Sequence, residues 1–303
     1  MSPYSIAKAK QFGISVLTDE RLKTSFVNIE TPRLDCECIL SYVLNVTRSF
    51  LLVHDDMELS EDQFCLFEQL INKRASGLPV AYIIGKKEFF GIDFFVNENV
   101  LIPKPDTEIL VDVALKKIKE QNKEKFFIAD ICTGTGCIAI SVLKSLSCDI
   151  ATKCCMVATD ISELALDVAK KNALSNSVKI KFLHGNLVEP IMKEYGKECY
   201  FDFILSNPPY VPKNIALDLL KDGRQEPLLA LNGDCDGSND GTGLIQQLIP
   251  HVWEILKEDG VFFIETGEYN SKKVMELLKF QGFSDVIVHY DYSGMPRVLE
   301  AKK

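Results

Sequence analysis

Beyond about residue 100 the chain alternates short apolar runs with amphipathic stretches. The pattern predicts strands over 126–131, 154–159, 178–183, 201–205, 260–265, 284–290 and 296–301, and helices over 137–146, 162–175, 243–257 and 270–280. Strands alternating with helices imply βαβ crossovers and a mostly parallel sheet. The last two strands are separated only by the turn around Asp291-Tyr292-Ser293-Gly294, so the final strand is expected to run antiparallel to its neighbour. Ligands in such sheets bind beyond the carboxyl ends of the strands. The loops at 132–136, 160–161, 184–187 and 206–212 are therefore expected to converge on one crevice.

The first eighty or so residues have a helical period instead. Thr31-Pro32 supplies an N-cap and a proline at the first helical position, followed by a stripe through Leu34, Cys38, Leu40 and Leu44. Ser60-Glu61-Asp62-Gln63 fits a capping box opening a helix through Phe64, Phe67, Leu70 and Ile71, which Gly77-Leu78-Pro79 ends. Between the two textures, 87–96 is an aromatic stretch around Gly91 that predicts a β-hairpin bridging two domains.

Composition narrows the class. A chain of 303 residues with 47% hydrophobic and 25% charged residues is an ordinary globular protein of one large or two modest domains, not a disordered or fibrous chain. Its 34 Lys+Arg against 43 Asp+Glu give a net charge of −9, and no long basic cluster offsets it, which disfavours binding to a phosphate backbone. The ten cysteines include no C-x-x-C pair and no histidine at zinc spacing, so free, mostly buried thiols are expected in a reducing compartment. With no apolar leader or spanning run, a cytoplasmic location is expected. His54, His184, His251 and His289 are scattered and predict structural roles rather than a metal site.

Two motifs carry chemistry. Asp130-Ile131-Cys132-Thr133-Gly134-Thr135-Gly136 lies between a strand and a helix, where glycines let a ligand approach main-chain N–H groups at a helix N-terminus. Asp160 ends the next strand, where a carboxylate can accept from ribose hydroxyls. Gly134-x-Gly136-x-x-Ala139 also satisfies a relaxed dinucleotide fingerprint, so this loop alone does not separate a nicotinamide from S-adenosylmethionine.

The second motif, Asn207-Pro208-Pro209-Tyr210, separates them. To methylate a planar amide or amino-purine nitrogen, both N–H groups need acceptors so that the lone pair is freed and aimed. The Asn207 side-chain oxygen and the Pro208 carbonyl are two acceptors on a loop stiffened by consecutive prolines, and the Tyr210 ring offers a flat wall.

On these residues the chain resembles the protein-(glutamine-N5) methyltransferases that modify peptide chain release factors. The resemblance runs through Pro32-Arg33-Leu34-Asp35, then Arg74, Pro79, Tyr82, Gly85, Glu88, Phe89 and Gly91, and Leu101-Ile102-Pro103-Lys104-Pro105-Asp106-Thr107-Glu108. It continues through Asp130 to Gly136, Asp160, the Asn-Pro-Pro-Tyr motif and Glu226-Pro227. It implies an α/β class I S-adenosylmethionine-dependent methyltransferase, with a Rossmann-like, mostly parallel sheet and an antiparallel last strand. It also implies a helical substrate-docking domain at 1–82, a hairpin linker at 83–100 and the catalytic domain at 101–303. The implied methyl donor is S-adenosylmethionine, and the implied acceptor is the glutamine of the Gly-Gly-Gln motif of class-I release factors.

By match to the motifs, the candidate catalytic residues are Asn207, Pro208, Pro209 and Tyr210. The candidate cofactor residues are Asp130, Thr133, Gly134, Thr135, Gly136, Asp160, Ile161, Asn186, Leu187 and Asn207. Pro105, Asp106 and Thr107 precede a helix that borders the cofactor on this reading, or Asp106 simply caps it.

Three departures from the family pattern stand out. Cys132 occupies a glycine position whose positive φ a Cβ resists, Asn186 replaces an aspartate, and 232–241 is a lengthened acidic stretch expected to be a solvated insertion. Two further substrates remain open. A ribosomal-protein glutamine methyltransferase would use the same chemistry, whereas a DNA adenine-N6 methyltransferase would need a basic target-recognition domain that is not found.

Overall fold

The computed structural model describes residues 4–19, 29–196, 200–220, 225–235 and 237–303, and Cys199 and Asp236 lie outside them. The chain divides into two compact units, one of residues 1–86 with 217–225 and one of 87–216 with 226–303.

In the smaller unit, helices α1 (Ile6–Thr18), α2 (Pro32–Leu44), α3 (Arg48–Val53), α4 (Glu61–Ala75) and α5 (Val80–Ile84) enclose a core that includes Leu17, Ile39, Leu40, Phe67 and Ile71. The capping box at Ser60 forms in full, with Gln63 and Ser60 exchanging hydrogen bonds. Thr31 does occupy the N-cap of α2, but its hydroxyl donates to Asp35 at 2.9 Å rather than accepting a helix N–H. α1 approaches its neighbours at Gly13, where a Cβ would lie 2.6 Å from Cys36 Sγ and 2.8 Å from Phe67 Cζ.

In the larger unit, strands β1 (Lys86–Phe89) and β2 (Ile92–Phe95) form the expected hairpin. Phe89 and Phe94 are buried in the core on one face of the main sheet, so the hairpin is packed structure. Asn172 fastens it: Oδ1 accepts the Phe95 N–H at 2.7 Å, and Nδ2 donates to the carbonyls of Phe95 and Thr135.

The main sheet is built from β3 (Phe126–Ile131), β4 (Cys154–Asp160), β5 (Lys181–His184), β6 (Phe201–Ser206), β7 (Leu256–Glu265), β8 (Ser284–Tyr290) and β9 (Pro296–Lys302). Their order is β5-β4-β3-β6-β7-β9-β8. The pairings from β5 to β7 are parallel, and β9 runs antiparallel to both β7 and β8. Helices α6 (Glu108–Glu120), α7 (Cys137–Ser145), α9 (Glu163–Ser175), α13 (Gly243–Ile255) and α14 (Ser271–Gln281) are joined by the short α8 (Cys148–Ala151), α10 (Glu189–Tyr195), α11 (Lys213–Leu219) and α12 (Leu228–Leu231). Apolar cores lie on both faces of the sheet, as parallel strands require. The order reverses at β3, whose neighbours β4 and β6 leave in opposite directions and open a crevice at their carboxyl ends.

None of the described cysteines is in a disulfide, but only Cys36 and Cys137 are buried, and most of the others are half-exposed. Asp106 caps no helix. It lies in a 3-10 turn, Pro105–Thr107, and pairs with Arg297 at 3.2 Å.

Candidate active site

The glycine loop leaves β3 in a tight turn with Cys132 at φ 62°, Gly134 at φ 54° and Gly136 at φ 78°. The backbone conformation expected at position 132 is therefore present and is borne by a side chain that resists it. Beneath the loop lies Asp130, fully buried, with Oδ2 accepting from the Thr133 hydroxyl at 2.6 Å and the Ala139 N–H at 3.3 Å. Burial pushes its carboxyl up to about 7, and Oδ1 has no partner. Asp130 is thus a strut under the loop and not part of a ligand-facing wall. Gly136 is likewise packed inward, since a Cβ there would meet Ile140 Cδ1 at 3.1 Å and Ala169 Cβ at 3.3 Å.

At the end of β4, Asp160 Oδ2 accepts the Gly134 N–H at 2.8 Å and Oδ1 accepts the Ser162 N–H at 2.9 Å. Partial burial raises this carboxyl above the ordinary range, and the surrounding N–H groups oppose the rise. Ile161 follows with a half-exposed side chain, its carbonyl 2.9 Å from His184 Nε2. The Thr159 hydroxyl donates to the Leu187 carbonyl at 2.9 Å, tying the third loop, with Asn186 and Leu187, to β4.

Asn207 follows β6, and its Nδ2 donates to the Thr107 hydroxyl at 3.1 Å, which makes Oδ1 the atom of this amide available to a ligand. The Tyr210 hydroxyl donates to Oε1 of Glu265 at 3.1 Å, and the Tyr210 carbonyl accepts from Asn270 Nδ2 at 2.9 Å and the Tyr269 hydroxyl at 3.2 Å. Glu265, at the end of β7, is buried, which pushes its carboxyl up to about 7 against the opposing pull of the Thr107 and Tyr210 hydroxyls.

The described part of 232–241 is only partly solvated, with Gly237 and Asn239 exposed and the rest buried or half-buried. Asp234 accepts the main-chain N–H groups of Lys213 at 2.8 Å and Gly241 at 2.7 Å, and its Oδ1 also accepts from the Ser238 hydroxyl. Its glycines press on the Asn-Pro-Pro-Tyr turn. A Cβ at Gly233 would lie 2.6 Å from the Pro209 carbonyl oxygen, and one at Gly241 would lie 2.0 Å from that of Tyr210. Asp234 and Asp240 satisfy loop N–H groups, so the stretch buttresses the turn.

These loops enclose a cavity of about 270 Å³, which is on the scale of an organic ligand because one water needs only about 10–15 Å³. Thr133, Gly134, Thr135, Asp160, Ile161, Asn186, Leu187, Asn207 and Pro209 line it together. Asp130, Gly136, Pro208 and Tyr210 do not: Asp130 and Gly136 lie under the loop, the Pro208 residue is buried, and the Tyr210 hydroxyl is held by Glu265. The remaining wall comes from Leu101, Pro103, Lys104 and Thr107 on one side and Pro227, Leu229 and Leu244 on another. Glu226 joins two of these stretches by accepting from Lys104 Nζ at 2.7 Å and the Ile102 N–H at 3.2 Å. Of this outer wall, only 101–107 and Glu226-Pro227 carry a motif signal. Glu265 is detectable in sequence only as an acid ending a predicted strand.

The PrmC N-terminal domain family matches residues 19–85, and the Methyltransferase small domain family matches residues 106–224. The chain is 33% identical over 279 residues to the release factor glutamine methyltransferase of Clostridium botulinum, covering 91% of this chain and 94% of that one. It is 36% identical over 277 residues to the release factor glutamine methyltransferase of Buchnera aphidicola subsp. Acyrthosiphon pisum, again covering 91% and 94%. Among solved structures, the N-terminal domain of human METTL16 in complex with SAH superposes with a TM-score of 0.50 at 19% identity, over 78% of this chain and 83% of that one. That likeness is one of fold, the class I methyltransferase sheet. With a glycine loop, a strand-end acid and an Asn-Pro-Pro-Tyr turn on one cavity, and relatives matched over nearly their full length, the chain belongs to the release factor glutamine methyltransferase family.

Proposed function

We propose that this chain methylates the side-chain amide nitrogen of the glutamine in the Gly-Gly-Gln motif of class-I peptide chain release factors, using S-adenosylmethionine, in the cytoplasm. The observation that carries the reading is the Asn207 carboxamide, on the wall of the same cavity as the glycine loop and Asp160, with its nitrogen engaged by Thr107 and its oxygen left to accept.

The residues present fit the donor. Gly134 lines the cavity, and a Cβ there would meet no atom within 4 Å, so the missing side chain leaves room beside the main chain. Thr133, Gly134 and Thr135 would hold the methionine part of the donor. Asp160 would accept from the ribose hydroxyls, while Ile161, Asn186 and Leu187 would flank the adenine. When bound, S-adenosylmethionine supplies an electrophilic methyl group on a sulfonium sulfur.

The chain's own residues do the positioning. Asn207 Oδ1 and the Pro208 carbonyl accept the two N–H groups of the substrate amide, turning its lone pair out of conjugation. Pro208 and Pro209 fix φ, so the acceptors are already arranged before the substrate arrives. Tyr210, held by Glu265, anchors the end of the turn from behind the cavity wall. Asp130 and Gly136 keep the loop in shape from beneath. Residues 1–82 dock the release factor, 83–100 join the two parts of the chain, and 101–303 carry the chemistry.

A direct test is incubation with labelled S-adenosylmethionine and, in parallel, a release factor, a ribosomal-protein fraction and unmethylated duplex DNA, with the product mapped by peptide mass spectrometry. Label on the release-factor glutamine that disappears with Asn207→Ala supports the proposal. Label on a ribosomal protein or DNA, or on nothing, overturns it.

A further inference from the structure

Asn207 is a carboxamide, and its two ends have nearly the same shape. Flipping it by half a turn exchanges an acceptor for a donor with little steric cost, so something outside the residue must choose between the two orientations. A flipped Asn207 would present an N–H to a substrate N–H and could not hold the acceptor amide. The proline-rich loop does not make the choice, since Pro208 and Pro209 fix the backbone and leave the side-chain torsions of Asn207 free.

The choice is made one hundred residues earlier in the chain. The Thr107 hydroxyl is 3.1 Å from Asn207 Nδ2, and Thr107 is only 2% exposed. A hydroxyl has a single proton. If that proton is committed elsewhere, only oxygen lone pairs face Asn207, and they select the NH₂ end. The group placed to take the proton is Glu265, buried beside Thr107, whose Oε1 accepts from Tyr210 and whose Oε2 is a buried oxygen with no hydrogen-bond partner. The Thr107 hydroxyl is one of the two that hold the Glu265 carboxyl down against burial.

Resting on the glutamine-methylation reading above, we infer that Thr107 is a positioning residue: its buried hydroxyl accepts from Asn207 Nδ2 and holds Asn207 with Oδ1 toward the substrate amide. This gives the Pro105–Thr107 turn a task separate from bordering the donor.

The test uses the full chain with Thr107→Val, which keeps the shape and removes the hydroxyl, and Thr107→Ser, which keeps the hydroxyl. With the release factor saturating, Thr107→Val is expected to lower kcat about tenfold, the scale of one lost buried hydrogen bond. Thr107→Ser is expected to stay within about threefold of the parent, since it restores the same donor and acceptor. A second readout is independent of activity. In protein labelled with ¹⁵N-asparagine, the side-chain NH₂ pair of Asn207, identified by its loss in Asn207→Ala, should exchange with water about tenfold faster in Thr107→Val and at the parent rate in Thr107→Ser. Equal exchange in the parent and Thr107→Val, or a Ser variant as impaired as the Val variant, overturns the inference. A parent that methylates no release factor would overturn the substrate reading alone, and the exchange comparison would still decide the role of Thr107.

Discussion

The main-chain N–H of Gly134 donates to the carboxylate of Asp160 at 2.8 Å, so the acid that ends one strand also sets the shape of the loop that ends its neighbour. Removing the carboxylate should therefore act twice, deleting an acceptor for the donor's ribose and releasing the glycine loop. Asp160→Ala is expected to weaken S-adenosylmethionine binding, measured by calorimetry, by about tenfold or more, the scale of a hydrogen bond to a charged group. An unchanged affinity would show that the ribose assignment is wrong.

Cys132 holds φ 62° with a Cβ, at a left-handed cost of about 1–2 kcal/mol. Cys132→Gly removes the strain but adds freedom to the unfolded chain and gives up a half-buried thiol, so denaturant unfolding should place it within about 1 kcal/mol of the parent. Cys132→Val adds a second branch at the strained position and should cost about 2 kcal/mol or more. Equal stability of the Val variant and the parent would remove the strain from the account.

Asp130 has its carboxyl raised from 3.8 in the unfolded reference to about 7 in the folded state, chiefly by burial. The folded protein therefore holds a proton that the unfolded chain has released. This group's contribution to stability is full below pH 3.8 and is lost as pH rises through about 7. Asp130→Asn keeps an oxygen for Thr133 and Ala139 and removes the titration. Its melting temperature relative to the parent should rise as pH increases across that window, and parallel profiles would contradict the assignment.

At Gly241, φ is 75° and an added Cβ would lie 2.0 Å from the Tyr210 carbonyl oxygen. Gly241→Ala must therefore displace the Asn-Pro-Pro-Tyr turn, although the residue is not on the cavity wall. Release-factor methylation is expected to fall at least about tenfold, because a displaced acceptor loses orientation, while donor binding changes far less. Full activity in this variant would show that the acidic stretch does not support the turn.

Much of the sheet was legible because its strands are short continuous apolar runs ending in punctuated loops, as at Phe126–Ile131 and Phe201–Ser206. β7 begins four residues before the apolar run that marks it in the sequence. Its ladder begins at Leu256, but Lys257, Glu258 and Asp259 interrupt the apolar run, and the register with β6 shifts between Phe201 and Phe203. β5 begins three residues after its apolar run, since Val178 and Ile180 pack against the core without joining the ladder. Helices as short as Leu228–Leu231 contain too few turns to show a period.

In the site, Asn207, Asp160 and the glycine loop were visible as local patterns. Glu265 and its link to Tyr210 were not, because they depend on β7 lying beside β6, a fact of strand order. The supporting role of 232–241 was hidden for a similar reason: aspartates that bond loop N–H groups have the same composition as aspartates that face water.

The strand order also governs when this enzyme can exist during synthesis. β9 lies between β7 and β8 although it follows both in sequence. Until residues 296–302 are made, β7 keeps an unpaired edge, and the acid at its end, Glu265, stands at the margin of an unfinished sheet. An emerging chain thus cannot complete the surroundings of Asn207 early, and it exposes a hydrogen-bonding edge while it waits. Cells short of folding assistance should lose this protein to aggregation before they accumulate a partly folded but active form.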